Sequence, residues 1–187
     1  MKIALIFPVE KKWGKWGIGN VALFPPLNLA ILAAYTPVNY EIKIFDECVQ
    51  KVNFEEQFDL VGISLQTISA PRGYKIAQEF KTRGTKVVIG GIHPSMLPNE
   101  AINYGDTVVV GEAENAWQEV MHDFENNRLK KFYYGLYPSL VNLLLPRRDL
   151  LSKKYIFDSV ETSRGCPIAC DFCSVAKFNG RLLRQKP

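Results

Sequence analysis

Short apolar runs separated by segments with helical spacing constrain the fold of this chain more than any other feature. The runs are a few residues long and rich in β-branched side chains, which is typical of strands buried on both faces of a parallel sheet. They occur at residues 3–7, 41–45, 60–63, 86–89 and 107–110. We therefore predict five parallel strands in this part of the chain.

The segments between these runs have apolar residues at every third or fourth position, as expected of amphipathic helices. Tyr74, Ala77 and Phe80 form such an apolar stripe. Helices are predicted at residues 27–35, 70–83 and 114–126, with a shorter one at 98–104. Alternating strands and helices predict an α/β fold, a doubly wound, flavodoxin-like domain with a five-stranded parallel sheet, over residues 1–128.

The periodic pattern ends after residue 128. Residues 129–156 mix turn signals with charge and are predicted to be a linker. A new strand is expected at residues 157–161, running directly into a cysteine-rich loop. The last unit, residues 157–187, would then contain the first strand of a second domain and this loop.

The basic residues are concentrated in the last part of the chain. Residues 1–146 carry 14 Lys/Arg against 15 Asp/Glu, whereas residues 147–187 carry 9 against 4. These basic residues surround a cysteine motif and do not alternate with aromatic residues, so a nucleic-acid partner is disfavoured. No apolar run approaches the roughly 20 residues of a membrane span. No signal-peptide pattern opens the chain, and the expected location is the cytoplasm.

The residues that follow the predicted strands indicate where a ligand would bind. In doubly wound sheets, ligands lie outside the carboxyl ends of the strands. Ser64 and Leu65 follow the third strand, Gly90-Gly91 and His93 the fourth, and Gly111-Glu112 the fifth. The sequence therefore predicts a ligand site at this edge, although ordinary turns in α/β domains use similar residues.

Three of the four cysteines lie close together, as Cys166-x-x-x-Cys170-x-x-Cys173. A disulfide framework is disfavoured in a reducing compartment, so the motif indicates a metal site. Zinc normally takes four protein ligands. An iron–sulfur cubane held by three cysteines instead leaves one iron open to an external ligand. Structural zinc and an inert cysteine loop remain alternatives, and Cys48 is interpreted as an ordinary thiol at a strand end.

Residues 161–173 resemble the cluster loop of the radical S-adenosylmethionine superfamily in both spacing and flanking residues, including the aromatic Phe172. The resemblance implies a [4Fe-4S] cluster on Cys166, Cys170 and Cys173, with Phe172 beside the cofactors. It also implies that the open iron binds S-adenosylmethionine, and that an external electron donor drives cleavage to a 5′-deoxyadenosyl radical.

Residues 26–35, 87–95 and 109–114 resemble the N-terminal cobalamin-binding domain of cobalamin-dependent radical S-adenosylmethionine enzymes. That family includes many C- and P-methyltransferases and the anaerobic magnesium-protoporphyrin monomethyl ester oxidative cyclases. The glycine pair would let the nucleotide tail of cobalamin lie close to the backbone. The cobalamin contacts that the resemblance implies are Ser64, Leu65, Gly90, Gly91, His93, Gly111 and Glu112.

One departure concerns the cobalt ligand. Cobalamin domains of the methionine-synthase type carry Asp-x-His-x-x-Gly after the first strand, with the histidine on cobalt. Residues 8–19 of this chain contain no histidine, and His93 and His122 are the two in the whole sequence. Cobalamin would therefore bind without that lower ligand, and His122 is expected on the surface of a helix.

These resemblances together predict an N-terminal fragment of a cobalamin-dependent radical S-adenosylmethionine enzyme that acts on a small molecule. Methyltransferase and oxidative-cyclase types both fit. Because such enzymes need most of a barrel after the cluster loop, we expect the fragment itself to be inactive, without a catalytic residue of its own. Two alternatives remain: an upstream module that binds a substrate or partner without cobalamin, and a tRNA-modifying radical enzyme.

Overall fold

A parallel sheet forms the centre of the computed structural model, which describes residues 1–10, 22–168 and 170–186. Its strands are β1 Lys2–Phe7, β2 Glu41–Asp46, β3 Leu60–Ser64, β4 Lys86–Gly90, β5 Thr107–Val110 and β6 Phe132–Tyr134. They are arranged in the order β2-β1-β3-β4-β5-β6, and every neighbouring pair is parallel. The chain order reverses between β1 and β3, as in doubly wound folds.

Helices cover both faces of the sheet because successive side chains of a strand point to opposite sides. The helices are α1 Leu27–Ala34, α2 Ala70–Thr82, α3 Ile92–Met96, α4 Pro98–Ala101, α5 Ala113–Glu125 and α6 Val175–Asn179. Ile3 and Leu5 of β1 pack in the core beneath α1 and α5. Ala4 and Ile6 pack in the second core, beneath α2. Within the described residues, no helix is both long and apolar enough to cross a membrane.

The predicted parallel α/β sheet is confirmed, but the prediction of five strands is wrong because β6 adds a sixth. β6 lies within residues 129–156, the range predicted as a linker. A strand of three residues is too short to produce a periodic sequence pattern, and β6 is a strand because it pairs with β5. Buried Tyr133 secures β6, since its hydroxyl donates to Asp123 Oδ2 at 2.9 Å. The division of the chain into three units stays a prediction.

Three of the predicted helices are present, and the stripe of Tyr74, Ala77 and Phe80 is buried. His122 lies exposed on α5, as expected. The predicted helix at 98–104 is shorter than expected, because α4 ends at Ala101 and turns follow. The single turn of α3 just before it was not predicted, since five residues containing a proline carry little periodicity.

The strand predicted at residues 157–161 is wrong, because this segment is irregular. A strand needs a neighbour for its backbone groups. Within the described chain, residues 154–157 pair with Ala22 and Leu23 through three backbone hydrogen bonds, and this pairing does not continue through residues 158–161. Two short strands follow instead, β7 Ser163–Arg164 and β8 Arg184–Gln185, which pair antiparallel to each other.

Candidate functional site

A cavity of about 220 Å³ lies at the carboxyl ends of β3, β4 and β5, on the face that α1 and α5 cover. Its deeper part is apolar: Val88 and Val109 come from the sheet, Leu29 from α1 and Trp117 from α5. Trp117 is almost fully buried, and its indole N–H donates to Thr36 Oγ1 at 2.9 Å. The cavity therefore has a buried apolar floor and opens at the edge where doubly wound sheets bind ligands.

Glycines keep this cavity open. A Cβ on Gly62 would lie 3.0 Å from Leu5 Cδ2 and 3.4 Å from Trp117, so a side chain there would press on the floor. Gly91 has φ of +103°, and a Cβ on it would lie 2.7 Å from Leu65 O and 2.8 Å from Leu65 N. Gly90 has more room, because its Cβ would meet Val109 Cβ at 3.7 Å. At these glycines the cavity is lined by main-chain atoms alone, so a bulky ligand would be able to lie close to the main chain.

The structure brings most of the predicted strand-end residues together around this cavity. Its lining includes Ser64, Gly90, Gly91, Gly111 and Glu112. Ser64 Oγ accepts a hydrogen bond of 2.8 Å from Asn28 Nδ2, which places two polar side chains at the rim. Leu65 is fully buried beneath Gly91 rather than in the lining, and its amide donates to Gly90 O at 2.8 Å.

His93 is directed away from the cavity. Its Nε2 lies 3.1 Å from Tyr74 Oη and 3.2 Å from Glu100 Oε1, and the ring is buried. Hydrogen bonds from His93 and then Tyr74 hold the pKa of Glu100 below its ordinary value. This contact ties the α3–α4 segment to α2, so His93 supports the loop after β4 without lining the cavity.

A buried charge cluster, which local sequence patterns did not predict, forms one wall of the cavity. Arg164 Nη1 lies 2.9 Å from Glu112 Oε2 and 2.6 Å from Glu114 Oε1. Arg184 Nη1 and Asn179 Nδ2 donate to the Glu112 carboxylate at 3.0 and 3.1 Å. The acidic Gly-Glu-Ala-Glu sequence at 111–114 and the basic excess after residue 147 were the signals available.

Burial and hydrogen bonding act against each other at Glu112. Burial disfavours the ionised carboxylate and by itself would raise its pKa. The hydrogen bonds from Arg184, Arg164 and Asn179 outweigh burial, so the pKa of Glu112 lies below its ordinary value. Glu112 is therefore a carboxylate held in its charged form by these neighbours.

The predicted cluster cysteines lie on the loop between β7 and α6. Cys166 N donates to Gly180 O, and Cys173 N donates to Cys170 O, both at 3.1 Å. All three thiols are free and half-buried, whereas the Phe172 side chain is 94% exposed. In the described part of the chain, no three His, Cys, Asp or Glu side chains converge on a single metal ion. The donor set itself, three thiols on one short loop, fits a cluster in which each cysteine binds its own iron.

Cys48 stands apart from this loop, at the end of β2. Burial and the neighbouring Asp46 carboxylate raise the pKa of Cys48 to about 12. Asp46 also accepts a hydrogen bond from Tyr155 Oη at 2.9 Å. Burial of Cys48 beside a carboxylate thus disfavours the thiolate form, and Cys48 lies just after β2, apart from the three cysteines of the loop.

Residues 11–21, most of the loop that follows β1, lie outside the described residues. The prediction that this loop supplies no histidine ligand to cobalt therefore rests on the sequence alone. Both histidines of the chain are nevertheless accounted for, one against Tyr74 and one on the outer surface of α5. The described lining of the cavity contains no histidine.

Known methyltransferases resemble this chain over most of its length. It is 39% identical over 168 residues to bacteriochlorophyllide d C-8(2)-methyltransferase of Chlorobaculum tepidum, which covers 84% of this chain and 37% of that protein. The chain is 28% identical to the bacteriochlorophyllide d C-12(1)-methyltransferase of the same organism, over 90% of this chain and 39% of that protein. It is 26% identical to hopanoid C-2 methylase of Rhodopseudomonas palustris, over 99% of this chain and 38% of that protein.

The chain spans less than half the length of these relatives. Residues 21–121 match the protein family described as B12 binding domain. This range begins before α1 and runs through β2–β5 and most of α5, so it contains α1, β3, β4, β5 and the part of α5 that line the cavity. Because the match covers more than half of the sequence, this chain belongs to the B12-binding domain family.

Proposed function

We propose that this chain is the cobalamin-binding part of a radical S-adenosylmethionine methyltransferase, with the nucleotide tail of cobalamin held in the cavity beside β3–β5. The cavity is the observation that carries the proposal. It combines an apolar floor, a polar rim and a wall of glycine main chain without side chains. At about 220 Å³ it would take part of a large cofactor, leaving the remainder over the strand ends.

The residues of the chain would act by binding and orientation. Gly90 and Gly91 would let the ligand lie against the backbone, Ser64 and Asn28 would hydrogen-bond its polar groups, and Trp117 would exclude water from the floor. Bound cobalamin would supply the methyl-transfer chemistry. His93 is hydrogen-bonded elsewhere, so the chain would hold cobalamin without histidine coordination of cobalt.

The cysteine loop supports the radical part of the proposal. Cys166, Cys170 and Cys173 would hold a [4Fe-4S] cluster, whose open iron supplies a binding site for S-adenosylmethionine. An external electron donor and a small-molecule substrate complete the reaction. Since the resembling proteins are named as methyltransferases or a methylase, methyl transfer is favoured over an oxidative cyclase or tRNA modification.

Cobalamin binding should be lost when the cavity is filled. In Gly90→Leu the new side chain would occupy the cavity, so the affinity for hydroxocobalamin should fall by about tenfold or more, a difference of about 1.4 kcal/mol or more. Equilibrium dialysis followed by absorbance spectra measures this affinity. Gly90→Ala is the control, since its Cβ has room beside Val109 and should reduce binding much less.

Two results would contradict the cobalamin proposal. One is a wild-type chain that binds no hydroxocobalamin at high-micromolar concentration. The other is equal affinity in Gly90→Leu and wild type. A spectral change of the bound corrinoid in His93→Ala would contradict the absence of histidine coordination.

Anaerobic reconstitution with iron and sulfide should give a labile cluster that is lost in Cys170→Ala. Stability of a cluster depends on burial and on hydrogen bonds to sulfur, and here the loop thiols are half-buried beside exposed Phe172. Iron content and the visible charge-transfer band measure loading. Cys48→Ala is the matched control and should keep the wild-type iron content. Equal loading of Cys170→Ala and wild type would show that the loop does not hold the cluster.

A further inference from the structure

One carboxylate links the cavity to the cysteine loop. Glu112 lines the cavity and begins the turn into α5. Its three donors bracket the cysteines: Arg164 lies in β7, Asn179 at the end of α6, and Arg184 in β8. The segment 163–186 is therefore anchored at both of its ends to the same side chain.

The ion pairs that Glu112 makes with Arg164 and Arg184 are almost fully shielded from solvent. The side chain of Glu112 is 2% exposed, and those of Arg164 and Arg184 are 9% and 11% exposed. A buried ion that loses its partner is strongly unfavourable, because neither water nor another charge replaces the lost interaction. Docking of the segment 163–186 thus depends on the charge of Glu112.

The two arginines depend on Glu112 to different degrees. Arg164 also contacts Glu114 and Glu161, so it keeps two carboxylates without Glu112. Among the described residues, Glu112 is the carboxylate that contacts Arg184. Removing the charge of Glu112 should therefore loosen β8 more than the Arg164 side chain, although Arg184 keeps its hydrogen bonds to the carbonyls of Pro138 and Asn179. The backbone of β7 would lose protection through its pairing with β8.

The same segment also walls the cavity. Arg164, Phe178 and Asn179 are in its lining, together with Glu112 itself. A ligand that enters this cavity would meet different surroundings when the segment is docked and when it is free. Such a difference in contacts is what couples a ligand to a conformational equilibrium.

We infer that Glu112 is a positioning residue that holds the cysteine loop over the cavity, so that docking of the loop and occupancy of the cavity are coupled. The coupling rests on the proposed cobalamin function, whereas the positioning by Glu112 can be measured without any ligand. By thermodynamic reciprocity, a ligand that stabilises the docked loop binds more tightly when the loop is docked.

Hydrogen–deuterium exchange of the ligand-free chain tests the positioning role. In Glu112→Gln, amides of β7 and β8 should exchange about tenfold faster or more, while those of β3 and β4 stay at the wild-type rate. Glu119→Gln is the matched control, because Glu119 lies in α5, the helix that Glu112 precedes, and forms an exposed pair with Lys130. Glu112→Asp keeps the charge and should restore part of the protection. Equal exchange of β7 and β8 in Glu112→Gln and Glu119→Gln would overturn the inference.

Hydroxocobalamin tests the coupling. Its addition to wild type should change exchange in residues 163–186 by about fivefold or more, and Glu112→Gln should lose this response while Glu119→Gln keeps it. Bound corrinoid with unchanged exchange in wild type would overturn the coupling. If wild type binds no corrinoid, the proposed function fails, and the inference is then decided by the ligand-free exchange alone.

Discussion

Gly91→Ala should lower the free energy of unfolding by about 3 kcal/mol. The backbone of Gly91 has φ of +103° and ψ of −174°, a conformation that only glycine adopts readily. A Cβ there would also lie 2.7 Å from Leu65 O, a backbone atom that accepts a hydrogen bond from His93 N. Strain and overlap therefore act together, and neither is relieved without moving the strand end.

Urea unfolding followed by circular dichroism measures this loss. Gly90→Ala is the neighbouring control: its Cβ would make an ordinary contact with Val109, so its stability should stay within about 1 kcal/mol of wild type. A Gly91→Ala protein as stable as Gly90→Ala would show that the strand end relaxes freely, which would weaken the argument that glycine is required at the cavity.

Trp117→Ala should cost about 3–5 kcal/mol of stability, the usual range for removing a buried aromatic side chain. Trp117 is 1% exposed and packs in the core that α5 shares with α1. Its loss would join a new void to the existing cavity, and Thr36 would lose the indole donor. Thr36 keeps a second bond, because its hydroxyl donates to Leu32 O at 3.1 Å.

Trp117→Phe separates packing from hydrogen bonding. Phenylalanine retains most of the ring contacts and removes the indole N–H, so it should cost about 1–2 kcal/mol. Both variants are compared by thermal and urea unfolding, with Gly90→Ala as a reference within the same cavity. A loss below about 1 kcal/mol in Trp117→Ala would mean that the site collapses around the smaller side chain and that the floor is not rigid.

The elements visible in the sequence are those with a long local signal. α2 and α5 contain 13 residues each, long enough for the apolar stripe of an amphipathic helix to repeat. The buried strands β1, β3 and β4 were visible as β-branched runs. β6 could not be seen in this way, because three residues gain their strand conformation from pairing with β5.

Side-chain directions and long-range contacts at the predicted site could not be read from local sequence patterns either. The sequence placed His93 with the strand-end residues, yet its ring turns toward Tyr74 and Glu100, because side-chain direction depends on the local backbone after Gly91. The acidic sequence at 111–114 and the basic excess after residue 147 were visible, but they did not identify the pairing of Glu112 with Arg184, because the two residues lie 72 positions apart and only the fold brings them together.

The sequence by itself determined the parallel α/β architecture, the edge of the sheet where a ligand would bind, and the cysteine motif. Each of these follows from local periodicity or from residues a few positions apart. The tertiary structure alone decided which strand-end residues enclose the cavity, and that the Glu112 carboxylate faces the arginines flanking the cysteines. The physical reason is that long-range contacts depend on strand order and side-chain direction, which local composition does not encode.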